Sequence, residues 1–239
     1  WRDAGLPVWV AAVAAIGCGA LAGWLNGALV TRLRLPALIV TLGTLSLFRG
    51  LAEALTGGVD TITAFPQDFL AFGHHALGGV LPWPALLLAL IAGAYALAVH
   101  RGTLGRMWTA IGYAGDGARY AGIPVASRTA LAYTLCGAAA GLAAVIATAH
   151  VGQAKADAGL GWELQAITAV VLGGTAITGG AGSIIGTLLG LAVVVVLRNG
   201  LALSDGPAEL AGILTGVLLI TAIVLRPLLA RRASAPESA

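Results

Sequence analysis

The sequence predicts an all-α polytopic transmembrane helical bundle. Three observations carry that prediction. The 239-residue chain is 59% hydrophobic and only 10% charged, with a mean hydropathy of +0.94, whereas a soluble domain is about a quarter charged. Its apolar residues fall into long runs, and roughly 20 such residues cross a bilayer as a helix. Its arginines gather at the ends of those runs, as the positive-inside rule requires. Lipid is therefore the solvent for most of this surface. The net charge of +3 is explained by topology, and no nucleic-acid partner is expected.

Seven segments follow in order: Val8–Val30, Ala37–Leu55, Leu81–Val99, Thr129–Ala149, Leu164–Thr178, Ile184–Leu203 and Leu210–Leu225. Arg32 and Arg34 put the first connection inside. The second span then ends outside, so residues 56–80 form a periplasmic loop. That loop carries Asp60, Pro66, Gln67, Asp68, His74 and His75, with a short amphipathic element around Phe65–Phe72. It is read as a docking ledge for an external partner, or else as a solvated connection. The third span returns to a cytoplasmic loop, residues 100–128, flanked by His100, Arg101, Arg106, Arg119 and Arg128. The fourth span ends outside again at residues 150–163. Arg226, Arg231 and Arg232 put the tail inside, which requires three more crossings. The fifth segment is short for a crossing, so it is expected to cross as a broken or re-entrant helix.

The 35 glycines fit a bundle in which small residues let helix backbones approach. Gly19-x-x-x-Gly23-x-x-x-Gly27 puts three on one face of the first span, and Gly182-x-x-x-Gly186-x-x-x-Gly190 does so at the start of the sixth. The run Gly173–Ser183 lacks the Gly-Lys-Ser/Thr ending of a phosphate loop and is flanked by spans. Its glycines are expected to unwind the chain there. Cys18 and Cys136 lie in apolar stretches and are expected to be buried and reduced.

Polar residues at membrane depth are the candidate pathway. Arg49 and Glu53 lie four apart on one helix face, and an ionisable residue there normally faces protein or water. They are read as a pathway-lining or outer-gate pair, or as an interhelical clamp. Asn26, Thr41, Thr44, Thr168 and Thr175 supply neutral hydrogen-bonding groups suited to a polyol. No span carries Asp, Glu and His in series, which counts against a proton-coupled carrier. No nucleophile–base set lies at one depth, so no catalytic residue is assigned. His74-His75 has no companion ligands nearby, and no metal is expected.

Several stretches together resemble the monosaccharide ABC importer permeases, the ribose, rhamnose, xylose and autoinducer-2 group. They are Asn26-Gly-Ala-Leu-Val-Thr-Arg-Leu-Arg-Leu-Pro36, Ile39-Val-Thr-Leu-Gly-Thr-Leu-Ser-Leu-Phe-Arg-Gly50, the loop Ala110–Val125, and Asp157–Thr175 followed by Gly179-Gly-Ala-Gly-Ser183 and Gly186. The resemblance runs from about Ala20 to the end, in the same order. It implies a type II-like permease domain over residues 1–239, with further spans preceding residue 1, in the bacterial inner membrane. It implies four kinds of contact: an ATP-binding subunit that holds the only nucleotide, a periplasmic substrate-binding protein, a second permease (identical or different) and the lipid bilayer. The permease itself is not an enzyme and needs no cofactor of its own.

The same resemblance makes Gly115–Ile123 the coupling segment that docks on the ATPase. Ala118, Arg119, Gly122 and Ile123 match the family's Ala-Arg-x-x-Gly-Ile core, with Gly115 and Asp116 before them. The chain departs from the usual Gly-Gly-Asn-Glu pattern, reading Gly112-Tyr-Ala-Gly-Asp116. Two alternatives stand beside sugar import. One is a branched-chain amino-acid permease, which shares the Gly-Gly-x-Gly-Ser-like stretch. The other is a motor-independent channel or structural membrane protein, which leaves the basic coupling-like loop unexplained.

Overall fold

The computed structural model describes residues 5, 7–57, 61–77, 79, 81–204 and 208–233. Asp60 and the side chains of Arg226, Arg231 and Arg232 lie outside the described residues. Among the described residues the architecture is helical, apart from a two-stranded antiparallel hairpin, β1 (Ala76–Leu77) with β2 (Leu81–Pro82), and an isolated antiparallel bridge between Ile62 and Ala154. Among the described residues, five helices are long and apolar enough to cross a membrane. They are α1 (Val8–Arg32), α2 (Ala37–Leu55), α4 (Trp83–Ala96, prolonged by a π-turn to Arg101), α7 (Val125–Val151) and α9 (Ile184–Leu203). Shorter elements are α3 (Gln67–His74), α5 (Thr103–Tyr113), α6 (Gly115–Tyr120) and α8 (Trp162–Leu172). The last helix, α10, runs Ala208–Ala233 and contains the apolar stretch Leu210–Val224.

Proline sets many of these starts. Pro7, Pro36, Pro66, Pro82 and Pro124 each directly precede a helix, where a missing N–H costs nothing. Large aliphatic side chains point outward along the spans: Val13, Leu38 and Leu90 are each about 70% exposed. Such a surface is stable only in lipid. Cys18 and Cys136 are free thiols, as expected, but they are exposed rather than buried. A thiol behaves as a small hydrophobe, and lipid accepts it as readily as a protein interior does.

The chain divides into two compact units, residues 1–98 with 119–158, and residues 99–118 with 159–239. The first is organised on α1 and α7, which pack antiparallel along the glycine stripe. A Cβ placed on Gly23 would stand 3.0 Å from the Tyr133 carbonyl carbon, and one on Gly27 would stand 2.7 Å from Ala130 Cα. Gly137 and Gly141 of α7 return the same closeness toward Gly19 and Ile16. At one end of this pair, α3 is pinned by Phe69, 3% exposed, in a core with Val8, Ala12, Val145 and Ala149. Trp9 meets the rings of Phe69 and Phe72 edge-on at 5.8 and 5.6 Å.

In the second unit α8 and α9 form an antiparallel hairpin. Gly190 lies against the Ala169 carbonyl, and a Cβ on Gly173 would stand 2.5 Å from the Gly186 carbonyl carbon. The segment expected at Leu164–Thr178 is helical only over Trp162–Leu172. Its 11 residues rise roughly 16 Å at 1.5 Å each, about half of a 30 Å hydrocarbon core. Gly173 and Gly174 stop it, Gly174 at φ +87°, a conformation that glycine takes freely. Turns then lead to Ser183, whose hydroxyl accepts the Gly186 N–H at 3.3 Å and caps α9. The fifth segment is thus a short helix followed by turns, not a full-length helix.

Candidate functional site

The segment expected to dock a motor folds locally as two short helices. Within the second unit α5 carries Gly105 against the Val99 backbone, and a Cβ on Gly105 would stand 2.5 Å from the Val99 carbonyl carbon. At the other end of α5, Gly112 abuts Gly179 and Gly180, themselves at φ +87° and +84°. Three glycines are needed because backbone meets backbone there. The helix α6 then contains Gly115, Asp116, Ala118 and Arg119. Asp116 lies in its first turn and Arg119 in its last, the arrangement that its dipole favours. Ala118 is 4% exposed, whereas Asp116, Arg119 and Tyr120 are exposed. Gly122, at φ +79°, donates to the Arg119 carbonyl at 3.0 Å and ends the helix. Ile123 is half-buried.

The pathway candidates fall in both units, Asn26, Thr41, Thr44, Arg49 and Glu53 in the first and Thr168 and Thr175 in the second. Thr41 donates to the Ala37 carbonyl at 3.0 Å, Thr44 to Val40 at 3.0 Å and Thr168 to Leu164 at 2.7 Å. Each hydroxyl is therefore bonded to its own helix. Thr175 donates its backbone N–H to the Val170 carbonyl at 3.1 Å, just beyond the end of α8. Arg49 and Glu53 share a face of α2 but form no ion pair. Among the described residues, Arg49 Nη1 is buried without a hydrogen-bond partner, and so is Asn26 Oδ1. An ionised group at membrane depth costs about 2.5–3.5 kcal/mol on insertion scales. Arg49→Leu is therefore expected to raise the melting temperature of the detergent-purified permease. A lowered melting temperature would mean that Arg49 is held by a bond the fold needs.

Within residues 56–80, the expected amphipathic element appears as α3. Gly73 sits against the Ala149 backbone, and His150 Nδ1 lies 3.1 Å from the Gly73 carbonyl. The His74 and His150 rings stack at 4.9 Å. Sequence reasoning missed His150, because 76 residues separate it from its ring partner. Among the described residues no group of three or more His, Cys, Asp or Glu gathers as metal ligands.

Sequence reasoning also missed Arg198. It sits in α9 after four consecutive valines, and its Nη1 donates to Gln165 Oε1 of α8. The signal was a lone cation in an apolar run.

Residues 2–223 match the family described as "Branched-chain amino acid transport system / permease component". The chain is 40% identical over 228 residues to the autoinducer 2 import system permease protein LsrD of Photorhabdus luminescens, covering 93% of this chain and 68% of that protein. It is 39% identical to the protein of that name from Klebsiella pneumoniae subsp. pneumoniae, over 82% of this chain and 60% of the relative. The counterpart from Yersinia pseudotuberculosis serotype O:1b is 37% identical over 96% of this chain and 70% of its own length. No solved structure matches the chain. With its lipid-facing helices and these relatives, the chain is a transport component of the bacterial inner membrane rather than an enzyme, and it belongs to the permease-component family of the branched-chain amino acid transport systems.

Proposed function

We propose that the chain is the membrane-spanning subunit of an ATP-binding-cassette importer for a sugar of the autoinducer-2 class. The observation that carries this reading is the 37–40% identity to autoinducer 2 import permeases. It is a finer guide to cargo than the family description, because it comes from individual relatives 37–40% identical to this chain.

In this reading α6 is the coupling helix. Gly115, Asp116, Ala118, Arg119, Gly122 and Ile123 seat on the ATP-binding subunit, and closure of the motor moves them. The α3 ledge receives the periplasmic binding protein, and a second permease completes the pathway. Asn26, Thr41, Thr44, Arg49, Glu53, Thr168 and Thr175 line or gate that pathway. A threonine whose proton is bonded to its own helix still offers an oxygen lone pair to a passing hydroxyl. No bond is made or broken in the cargo, and the energy arrives by mechanical contact alone.

Competition in vesicles carrying the complete transporter tests the cargo. Labelled autoinducer 2 should enter only with ATP, and excess leucine should leave its uptake within twofold. Displacement by leucine would move the assignment to the amino-acid side. Uptake without the ATP-binding subunit would favour a motor-free channel. Ribose and rhamnose serve as the graded competitors among sugars.

A further inference from the structure

The second unit contains a half-open, mainly apolar cavity of about 290 Å³ among α8, α9 and α10. Its polar edge is the Arg198–Gln165 pair, with Thr168 and Thr215 beside it. Thr168 is fully buried and Thr215 is 6% exposed. Thr215 donates to the Ala211 carbonyl at 2.7 Å, which leaves its oxygen as an acceptor. Arg198 spends one N–H on Gln165 Oε1. Among the described residues, the rest of its guanidinium and the Gln165 amide N–H groups remain as donors. An interhelical clamp alone needs neither those spare donors nor a cavity.

The glycines around the cavity differ from the packing glycines of the same unit. A Cβ on Gly173, Gly186 or Gly190 runs into backbone. A Cβ on Gly212 or Gly216, both lining the cavity, meets nothing within 4 Å. These two bring no helices closer and leave the space beside them open, whereas Gly161, also in the wall, is accounted for by its φ of +82°. The size lies at the lower limit of small-ligand sites, near 300 Å³, and so suits one sugar ring.

The geometry points to a sugar subsite at Arg198, Gln165 and Thr215, in which the guanidinium and amide donate to a pair of neighbouring hydroxyls and the Thr215 oxygen accepts from one of them. This rests on the sugar-import reading above and adds to it residues that the sequence did not single out. The leucines of the wall, Leu160, Leu164 and Leu219, match the C–H face of a sugar ring. An anion is disfavoured as cargo. A lone guanidinium in a low-dielectric wall attracts it strongly, which slows release.

The test uses the complete transporter in proteoliposomes with labelled autoinducer 2. Gly216→Leu fills the cavity without meeting backbone and is expected to cut uptake at least tenfold. Membrane abundance and ATP-binding-subunit retention should stay at wild-type levels. Gly212→Val, on the same wall, should act alike and stands in if Gly216→Leu is not inserted. Arg198→Ala should raise the KM for transport at least fivefold, with partial recovery in Arg198→Lys. Wild-type uptake in both glycine variants would overturn the subsite while leaving sugar import intact. Loss of abundance in Arg198→Ala, with both glycine variants active, would assign Arg198 to the fold and also overturn it. No sugar uptake by the wild-type transporter would remove the import reading and the subsite with it. Stronger competition by a sugar phosphate than by the neutral sugar would overturn the stated ligand chemistry.

Discussion

Arg119→Glu should leave the permease inserted at normal abundance and lower ATP-driven uptake by more than an order of magnitude. Arg119 is exposed in the last turn of a six-residue helix. The helix-dipole part of reversing its charge there is about 0.3–1 kcal/mol, small beside a bundle held by spans elsewhere. At a docking surface the same change costs more. The few hot-spot residues of an interface each cost about 2 kcal/mol or more on truncation, roughly thirtyfold in affinity, and arginine is over-represented among them. The expected phenotype is therefore a sound permease that no longer feels its motor. Membrane abundance by immunoblot and uptake by labelled autoinducer 2 separate the two effects. Normal uptake in Arg119→Glu would remove α6 from the coupling surface.

Gly23→Leu should do the opposite and remove the permease from the membrane. Its Cβ would stand 3.0 Å from the Tyr133 carbonyl carbon and 3.2 Å from Gly137 Cα. Backbone cannot rotate away as a side chain does, so α1 and α7 must separate. Overpacking a close-packed site costs about 1–3 kcal/mol, and an obstacle made of backbone puts this site at the upper end. In a membrane the loss is not repaid by hydrophobic association, because lipid is as apolar as leucine. Gly43→Leu is the matched control, since a Cβ there meets nothing within 4 Å. The expected result is reduced abundance and a lowered detergent melting temperature for Gly23→Leu alone. Equal behaviour of the two variants would mean that the α1–α7 contact does not hold the fold.

The spans were legible where local chemistry marks both ends. Ala37–Leu55 and Ile184–Leu203 form helices with the bounds that the sequence suggests. Pro36 opens one and the Ser183 hydroxyl caps the other. The glycine stripe was legible as packing, because 3.6-residue periodicity fixes its face; its partner glycines on α7 were not. The fifth segment was read too long because apolar composition continues past Leu172, while the glycine backbone, not hydropathy, ends the helix. Arg49 and Glu53 were read as a pair on spacing alone. Spacing gives a shared face, and rotamers decide whether charges meet. At α6 the short helix was legible, because residue types there carry a resemblance. The contact of Arg198 with Gln165, 33 positions apart, was not legible, because only the α8–α9 hairpin brings them together.

The most direct test of a motor-coupled permease is co-purification of the complete permease with the ATP-binding subunit of its transporter. Wild type is compared with a variant in which residues 115–123 are replaced by Gly and Ser. Retention by wild type, and loss in a loop variant that still inserts at normal abundance, is the predicted result. Equal retention by both would place the docking surface outside α6 and contradict the account.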